Sequence, residues 1–423
     1  MREMKDSGIE WIGEIPKHWK CCKQKYGLTL LNGRAFKESE FLEDGKYKVL
    51  RVGNLFTNPI WHYSNLMLED NKYCQKGDLL YSWSMSYAPF IWSGDKVIYH
   101  YHIWKVLIDD ILCKKFVYYY LLALTEALYA EIHETTMGFI TMGIMNNSYL
   151  PYCNLEEQQQ IANFLDTQCS KIDATAEDIQ KEISLLEDYK KSVITEAVTK
   201  GLNPDAEMKD SGIEWIGEIP KDWTVKNLKY IFDITSGSTP ASGVSQYWDG
   251  DIKWITPADF KTNDVYVFGG RRNITGLGLM SCSTQVIPDS SIIFSKRAPI
   301  GSVVITGEKM CINQGCLALI SKHQKTSVKF YYYALSILDK IFDMLGNGTT
   351  FKEISAFRFS NTSLQCPRFE EQQQIADYLD TKCSEIDTLI ADKKRQLDIL
   401  ADYKKSLIYE YVTGKKEVPV NDF

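Results

Sequence analysis

Met4–Trp19 reads MKDSGIEWIGEIPKHW, and Met208–Trp223 reads MKDSGIEWIGEIPKDW, with fifteen of sixteen positions identical. A second stretch is also written twice. EEQQQIANFLDTQCSKID at 156–173 returns as EEQQQIADYLDTKCSEID at 370–387, with fourteen of eighteen positions shared, and DYKKS stands at both 188–192 and 402–406. The copies are offset by 204 residues in the first case and 214 in the second, so the middle of the second half has gained ten residues while its flanks stayed alike. A period near 200 residues excludes a solenoid, whose units run to roughly 20–50 residues. The pattern is two domains of one kind on a duplicated frame.

The chain divides into a repeat element at 1–19, a variable middle at 20–153, a frame helix at 154–200, a linker with the second repeat element at 201–223, a second middle at 224–368, a second frame helix at 369–413 and a tail at 414–423. The frame helices are read from spacing. Ile161, Leu165, Ile172, Ile179, Ile183, Leu186 and Val193 fall at steps of three, four or seven, and so do Ile375, Leu379, Ile386, Ile390, Leu397, Leu400 and Leu407. One apolar stripe on an otherwise charged helix is the seam of a two-helix coiled coil. Glu156–Glu157 and Glu370–Glu371 put negative charge at the positive end of each helix dipole. Gly201 and Pro204 end the first helix and Gly414 the second. Because the copies are nearly identical, an antiparallel mutual pairing about a pseudo-two-fold axis is expected. About 40 residues at ~1.5 Å each give a spacer of roughly 60 Å. The middles read as mixed α/β, with strands at 47–52, 292–297 and 302–306 and helices at 116–131 and 329–345.

Composition excludes several classes. The best apolar run, Phe116–Leu124, stops at Thr125 and Glu126, far short of the ~18 residues of a membrane span. The start has no apolar stretch after its charges, as a secretory signal would, so a cytoplasmic chain is expected. Eleven scattered cysteines, without the two-residue gap of a zinc or redox pair, read as free thiols. The net charge of −7 lies on the frame: the second middle has sixteen Lys and Arg against ten Asp and Glu, and the first fourteen against thirteen. Local cations are what a phosphate backbone needs, because counterion release dominates such affinity.

DSGIEWIGEIP before a variable domain, and EEQQQIA opening a long helix that ends in DYKKS, resemble the conserved regions of type I restriction–modification specificity subunits. The second middle also resembles that family's target-recognition domains, through GSTP at 237–240, WITPADF at 254–260, KRAPIG at 296–301, NQGC at 313–316 and GTTFKEI at 348–354. The first middle offers only echoes: LRVGNL at 50–55, GDLLYSW at 77–83 and YAPF at 87–90. The resemblance implies two target-recognition domains joined by a coiled-coil spacer, each reading one half of an asymmetric bipartite DNA site. On one face of the duplex, the half-site centres lie about 10 bp apart. It implies two methyltransferase subunits docked on this chain, using S-adenosylmethionine. It also implies restriction subunits that use ATP and magnesium.

No catalytic machinery is expected in this chain. An adenine methyltransferase needs an Asn/Asp-Pro-Pro-aromatic site for the flipped base, and no Pro-Pro pair occurs. No phosphate-binding loop ends in Gly-Lys-Ser/Thr. The pair His100 and His102 lacks further ligands at metal-site spacing and reads as structural, so no metal is expected. Since Arg and Lys suit guanine edges and phosphates, and Asn and Gln suit adenine, the second-domain DNA candidates are Lys253, Lys261, Arg271, Arg272, Lys296, Arg297, Asn313, Gln314, Thr349, Thr350, Lys352 and Arg358. In the first domain they are Arg34, Lys46, Lys48, Arg51, Asn54 and Trp83. The repeat elements, with Trp11, Ile15, Trp215 and Ile219, read as hydrophobic anchors between domain and helix. A coiled-coil scaffold with two protein-binding domains is the rival. It accommodates the acidic net charge but leaves the faithful frame and divergent domains unexplained.

Overall fold

The computed structural model describes residues 2–84, 86–134, 140–261, 264–297, 299–345 and 352–419. It divides into two compact units, Met1–Gln180 with Lys394–Phe423, and Lys181–Lys393. Each unit therefore holds one variable domain and a stretch of both frame helices, which span Leu155–Lys200 and Phe369–Val412.

In the first unit the repeat element forms a hairpin, Met4–Asp6 against Glu14–Pro16. The Asp6 carboxylate accepts the Gly8 N–H, and Gly8 takes φ 71°, a conformation that favours glycine. The domain has an antiparallel sheet in the order Leu28–Asn32, Ile103–Ile108, Leu79–Ser84, Ser86–Ile91. A second, mixed sheet runs His62–Ser64, Tyr47–Leu50, Val97–Tyr99, Tyr73–Cys74, with its two central strands parallel. Lys20–Lys23 pairs with Tyr149–Tyr152 and ties the domain's two ends together.

The second unit repeats the plan. Its hairpin is Met208–Asp210 against Glu218–Pro220, with Asp210 capping Gly212 in the same way. Its main sheet runs Phe232–Ser236, Cys316–Ser321, Ile292–Ser295, Val303–Thr306 and then Tyr266–Val267, and its smaller sheet Arg272–Ile274, Trp248–Ile255, Cys311–Ile312. Tyr266–Val267 is an added edge strand, parallel to Val303–Thr306, with no counterpart among the described residues of the first domain.

The frame residues common to both copies fasten each domain at the same points. The Trp19 indole donates to Glu157 at 3.2 Å, and the Trp223 indole to Glu371 at 2.9 Å. Both rings are fully buried. Tyr119 donates to Asp166, and Tyr333 to Asp380, each at 2.8 Å. Gln158 takes the Cys113 N–H and donates to the Ile111 and Cys153 carbonyls; Gln372 takes the Ser327 N–H and donates to the Pro367 carbonyl. These buried amides satisfy backbone groups that would otherwise be costly to desolvate. Ile15 and Ile219 are buried, while Trp11 and Trp215 pack half-buried against their domain cores.

Within each unit the frame helices run antiparallel, and the repeats exchange roles. In the first unit Lys404 reaches Asp173 at 2.6 Å; in the second Lys190 reaches Asp387 at 2.7 Å. This exchange is what a pseudo-two-fold repeat requires. The stripe is more than a two-helix seam at its ends. Ile161 and Leu165 are buried with Leu407 and Ile408 of the other frame helix and also with Phe116 and Tyr119 of the domain's helix Lys114–Glu134. Ile375 and Leu379 lie likewise with Ile194, Val198, Phe330 and Ala334. Ile386 is buried, and Ile172, Ile179, Leu186 and Leu400 are half-buried.

Two expected elements differ. The helix over 329–345 is two helices, Val328–Ser336 and Asp339–Leu345. The Ser336 hydroxyl turns back onto the Tyr333 carbonyl, and Asp339 begins a new helix with favourable charge in its first turn. The strand over 47–52 stops at Leu50, because Asn54 accepts the Arg51 N–H and starts a short helical turn, Val52–Phe56.

Candidate nucleic-acid interface

Five sequence motifs of the second domain meet around one turn, Asn313–Cys316. The Asn313 N–H donates to Ile255 O of WITPADF at 3.0 Å, and Ser238 N–H of GSTP donates to Ile312 O at 3.1 Å. Thr239 of GSTP donates to the Gln314 side chain. Lys296 N–H, which opens KRAPIG, donates to Gly315 O at 2.9 Å, and its carbonyl takes the Ile354 N–H of the last motif at 3.0 Å. Glu353 clamps both cations of KRAPIG, Lys296 at 2.9 Å and Arg297 at 2.8 Å. Burial alone would raise the Glu353 pKa, but the Arg297 and Lys296 bonds hold it below the ordinary glutamate value.

The other second-domain candidates are spread around this turn and beyond it. Arg271 is largely exposed, and its guanidinium and its N–H both hold Asp259 of WITPADF at 3.1 Å. Arg272 stacks on Trp248 at 4.1 Å. Lys253 is engaged by Glu308 and the Phe268 carbonyl, and Lys352 by Asp343. Lys261 is exposed, and Arg358 is exposed on the short helix Ala356–Ser360. Thr349 and Thr350 lie outside the described residues.

The first domain carries the same backbone plan with other side chains. His100 N–H donates to Leu50 O at 2.9 Å, Arg34 N–H to Tyr99 O at 3.0 Å, and Trp83 N–H to His102 O at 3.1 Å. The turn itself closes alike: Ile103 N–H to His100 O at 2.9 Å, and Cys316 N–H to Asn313 O at 3.1 Å. His100, Tyr101 and His102 therefore occupy the positions of Asn313, Gln314 and Gly315, and Trp83 that of Lys296. LRVGNL is the structural counterpart of WITPADF, since Asn54 and Asp259 each cap the N–H three residues earlier. Gly33 and Gly237 mark the matching approach, where an added Cβ would come within 2.2 Å of Tyr99 O and 2.0 Å of Ile312 O.

Around this first tip lies an aromatic shelf. Trp83 stacks on Trp104 at 5.5 Å and donates to Tyr101 O at 2.8 Å. Phe36 stacks on Phe41 at 5.3 Å, with Arg34 over Phe36 and Arg51 over Phe41. Arg34 is forked onto Glu40; its side-chain hydrogen bonds, then the Lys37 N–H, bring the Glu40 pKa down to about 2. Lys46 and Lys48 are exposed beside Tyr47 and Trp61. The Asn54 amide hydrogens are both taken by Asn58 O and Ile60 O, so this residue shapes the turn rather than offering a donor to a base. Burial, then His102 and Arg51, push the His100 pKa down to about 4. His102 is lowered too, by burial and Arg51. His100, Tyr101 and His102 were missed as contact candidates because HYHI shares no residue with NQGC. The signal available was the turn's place between two short strands.

Among the described residues, no three His, Cys, Asp or Glu side chains are grouped to hold a metal ion, and no helix is long and apolar enough to cross a membrane.

The profile of the type I restriction modification DNA specificity domain matches this sequence twice, over residues 16–185 and 220–398. The MjaIX specificity subunit of the type I restriction enzyme of Methanocaldococcus jannaschii is 38% identical over 187 residues, 44% of this chain and 42% of that protein. The putative MjaX specificity subunit of the same organism is 28% identical over 96% of both chains. Among solved structures, a chain from a study of complex assembly and conformational transition of the type I R-M system superposes with a TM-score of 0.72 at 16% identity, over 95% of this chain and 99% of that one. The HsdS subunit of Thermoanaerobacter tengcongensis gives a TM-score of 0.50 at 16% identity, over 95% and 98%.

Proposed function

From the premise that this chain belongs to the type I restriction modification DNA specificity family, we propose that it reads an asymmetric, two-part DNA target, one half-site per variable domain, and catalyses nothing by itself. One observation carries this reading: in each domain the same backbone turn gathers separate loops to one place, and the side chains displayed there differ completely between domains. Two readers of one design with different tips call for two different half-sites. The positive charge on the second domain and the acidic frame fit a duplex held by the domains and kept off the helices.

The chemistry then belongs to partners in the cytoplasm: methyltransferase subunits using S-adenosylmethionine, and restriction subunits using ATP and magnesium. Two copies of one partner need two like surfaces, and the frame offers them. Leu185 and Tyr189 on the first helix are 67% and 57% exposed, and their repeat equivalents Ile399 and Tyr403 are 60% and 54% exposed.

The test is to co-express the chain with its methyltransferase partner in cells lacking adenine methylation, then map modified adenines. One asymmetric bipartite motif with a fixed gap is the expected result. No methylation from an assembled complex that binds methyl donor would overturn the reading and favour a protein-binding scaffold.

A further inference from the structure

The matched turns allow a sharper assignment than a list of surface cations. We propose that base identity in the first half-site is set by the tip His100–Tyr101–His102 with Trp83 beside it, and in the second by Asn313–Gln314–Gly315, where Lys296 stands in Trp83's place and positions the DNA backbone. This rests on the DNA-reading function above and adds which residues do the discriminating. Three features of the geometry support it.

First, these positions are equivalent by hydrogen bonding yet have no residue in common, which is where two readers must differ. Second, the tip backbones are held alike: His100 and Asn313 are anchored by their own N–H groups to the strand ends Leu50 and Ile255, so their side chains leave the fold from matching points. Third, the surrounding cations are already committed. Arg34 is forked onto Glu40, and Lys296 and Arg297 share Glu353, which suits positioning on phosphates better than free choice among bases. What remains at the tips is chemistry that reads edges. Asn313 and Gln314 keep amide hydrogens for base acceptors, because the protein bonds their carbonyl oxygens. Tyr101 and the two imidazoles offer aromatic faces to apolar groups such as the thymine methyl.

The test grafts the second tip onto the first domain: Trp83→Lys, His100→Asn, Tyr101→Gln and His102→Gly in the full complex with the methyltransferase, followed by genome-wide mapping of methylated adenines. The expected result is a changed first half-site, with roughly tenfold or greater loss of preference for at least one original base pair, while the second half-site and the gap persist. An unchanged motif would overturn the assignment and leave the DNA-reading function standing. If the wild-type complex itself yields no two-part motif, the function falls instead. Should the graft abolish methylation, Tyr101→Gln alone decides, since the Tyr101 phenol makes no hydrogen bond among the described residues. Relaxed preference confined to the first half-site supports the assignment, and wild-type preference at every position overturns it.

Discussion

The two recognition domains share a backbone and differ in what they hang on it. The first presents imidazoles, a phenol and an indole over a shelf of stacked rings; the second presents amides and a Lys–Arg–Glu clamp. The frames beneath them differ hardly at all, down to a Trp–Glu bond, a Tyr–Asp bond and a stapling glutamine in each copy. Substitution has been tolerated at the tips because each tip is fixed through backbone groups, which any side chain leaves in place. At the frame it has not, because there the side chains themselves make the joint.

If the frames are equivalent, breaking the same joint in each must cost the same. Trp19→Ala and Trp223→Ala each remove a fully buried indole and its N–H bond to Glu157 or Glu371, Glu157 keeping its bonds to Arg2 and His18. Each should cost about 3–5 kcal/mol, read as a large fall in thermal midpoint. A difference between them larger than about 2 kcal/mol would break the equivalence. The domains should respond separately: hydrogen exchange is expected to quicken in the unit that carries the substitution.

The frame was legible in the sequence because its chemistry is written in side chains that recur at a fixed offset. Helix ends at Gly201 and Gly414 were legible for the same reason: each adopts a left-handed φ, 75° and 71°, against the proline and tryptophan of a repeat element. The first domain's tip was not legible. Its identity rests on N–H and C=O partners that any sequence supplies, and HYHI bears no likeness to NQGC. The break at Ile337–Leu338 escaped because no Gly or Pro marks it within 328–345, and it falls inside an apolar run. The partners of the cations were not legible either: Lys253, Lys296, Arg297 and Lys352 all have acidic partners, brought to them by the fold.

Charge gives a smaller and sharper contrast between the domains. Arg271 and Arg272 lie in the domain with the larger cation excess, and the Arg271 side chain is 73% exposed. Changing both to Ala should flatten the salt dependence of DNA binding by a slope of about 2, near 0.9 for each phosphate no longer neutralised. The same change at Arg34 and Arg51 should flatten it less, because Arg34 is forked onto Glu40 by two bonds and only 25% exposed, whereas Arg271 makes one side-chain bond to Asp259 and stays largely exposed. Equal slopes would mean that both domains grip the backbone alike and differ only in the bases they read.

The smallest effect separates the tips by pH. His100 is held near pKa 4, well under the ordinary imidazole value of 6.5, chiefly by burial and then by His102 and Arg51. Between those two values the unfolded chain binds a proton that the folded tip refuses. Stability of the first domain should therefore be complete above about pH 6.5 and fall as the pH drops towards 4. His100→Asn installs the side chain found at the equivalent position of the second domain, which cannot titrate. Hydrogen exchange followed from pH 7 to pH 4.5, corrected for the intrinsic rate, should show acid weakening around His100 in the wild type and less of it in the variant. Carboxylates elsewhere, such as Glu157, also titrate on acidification, but they are common to both proteins and cancel in the comparison. Identical profiles would mean that the imidazole is better solvated than its stacking on Phe36 and Tyr101 implies, and that the two tips differ in shape but not in electrostatics.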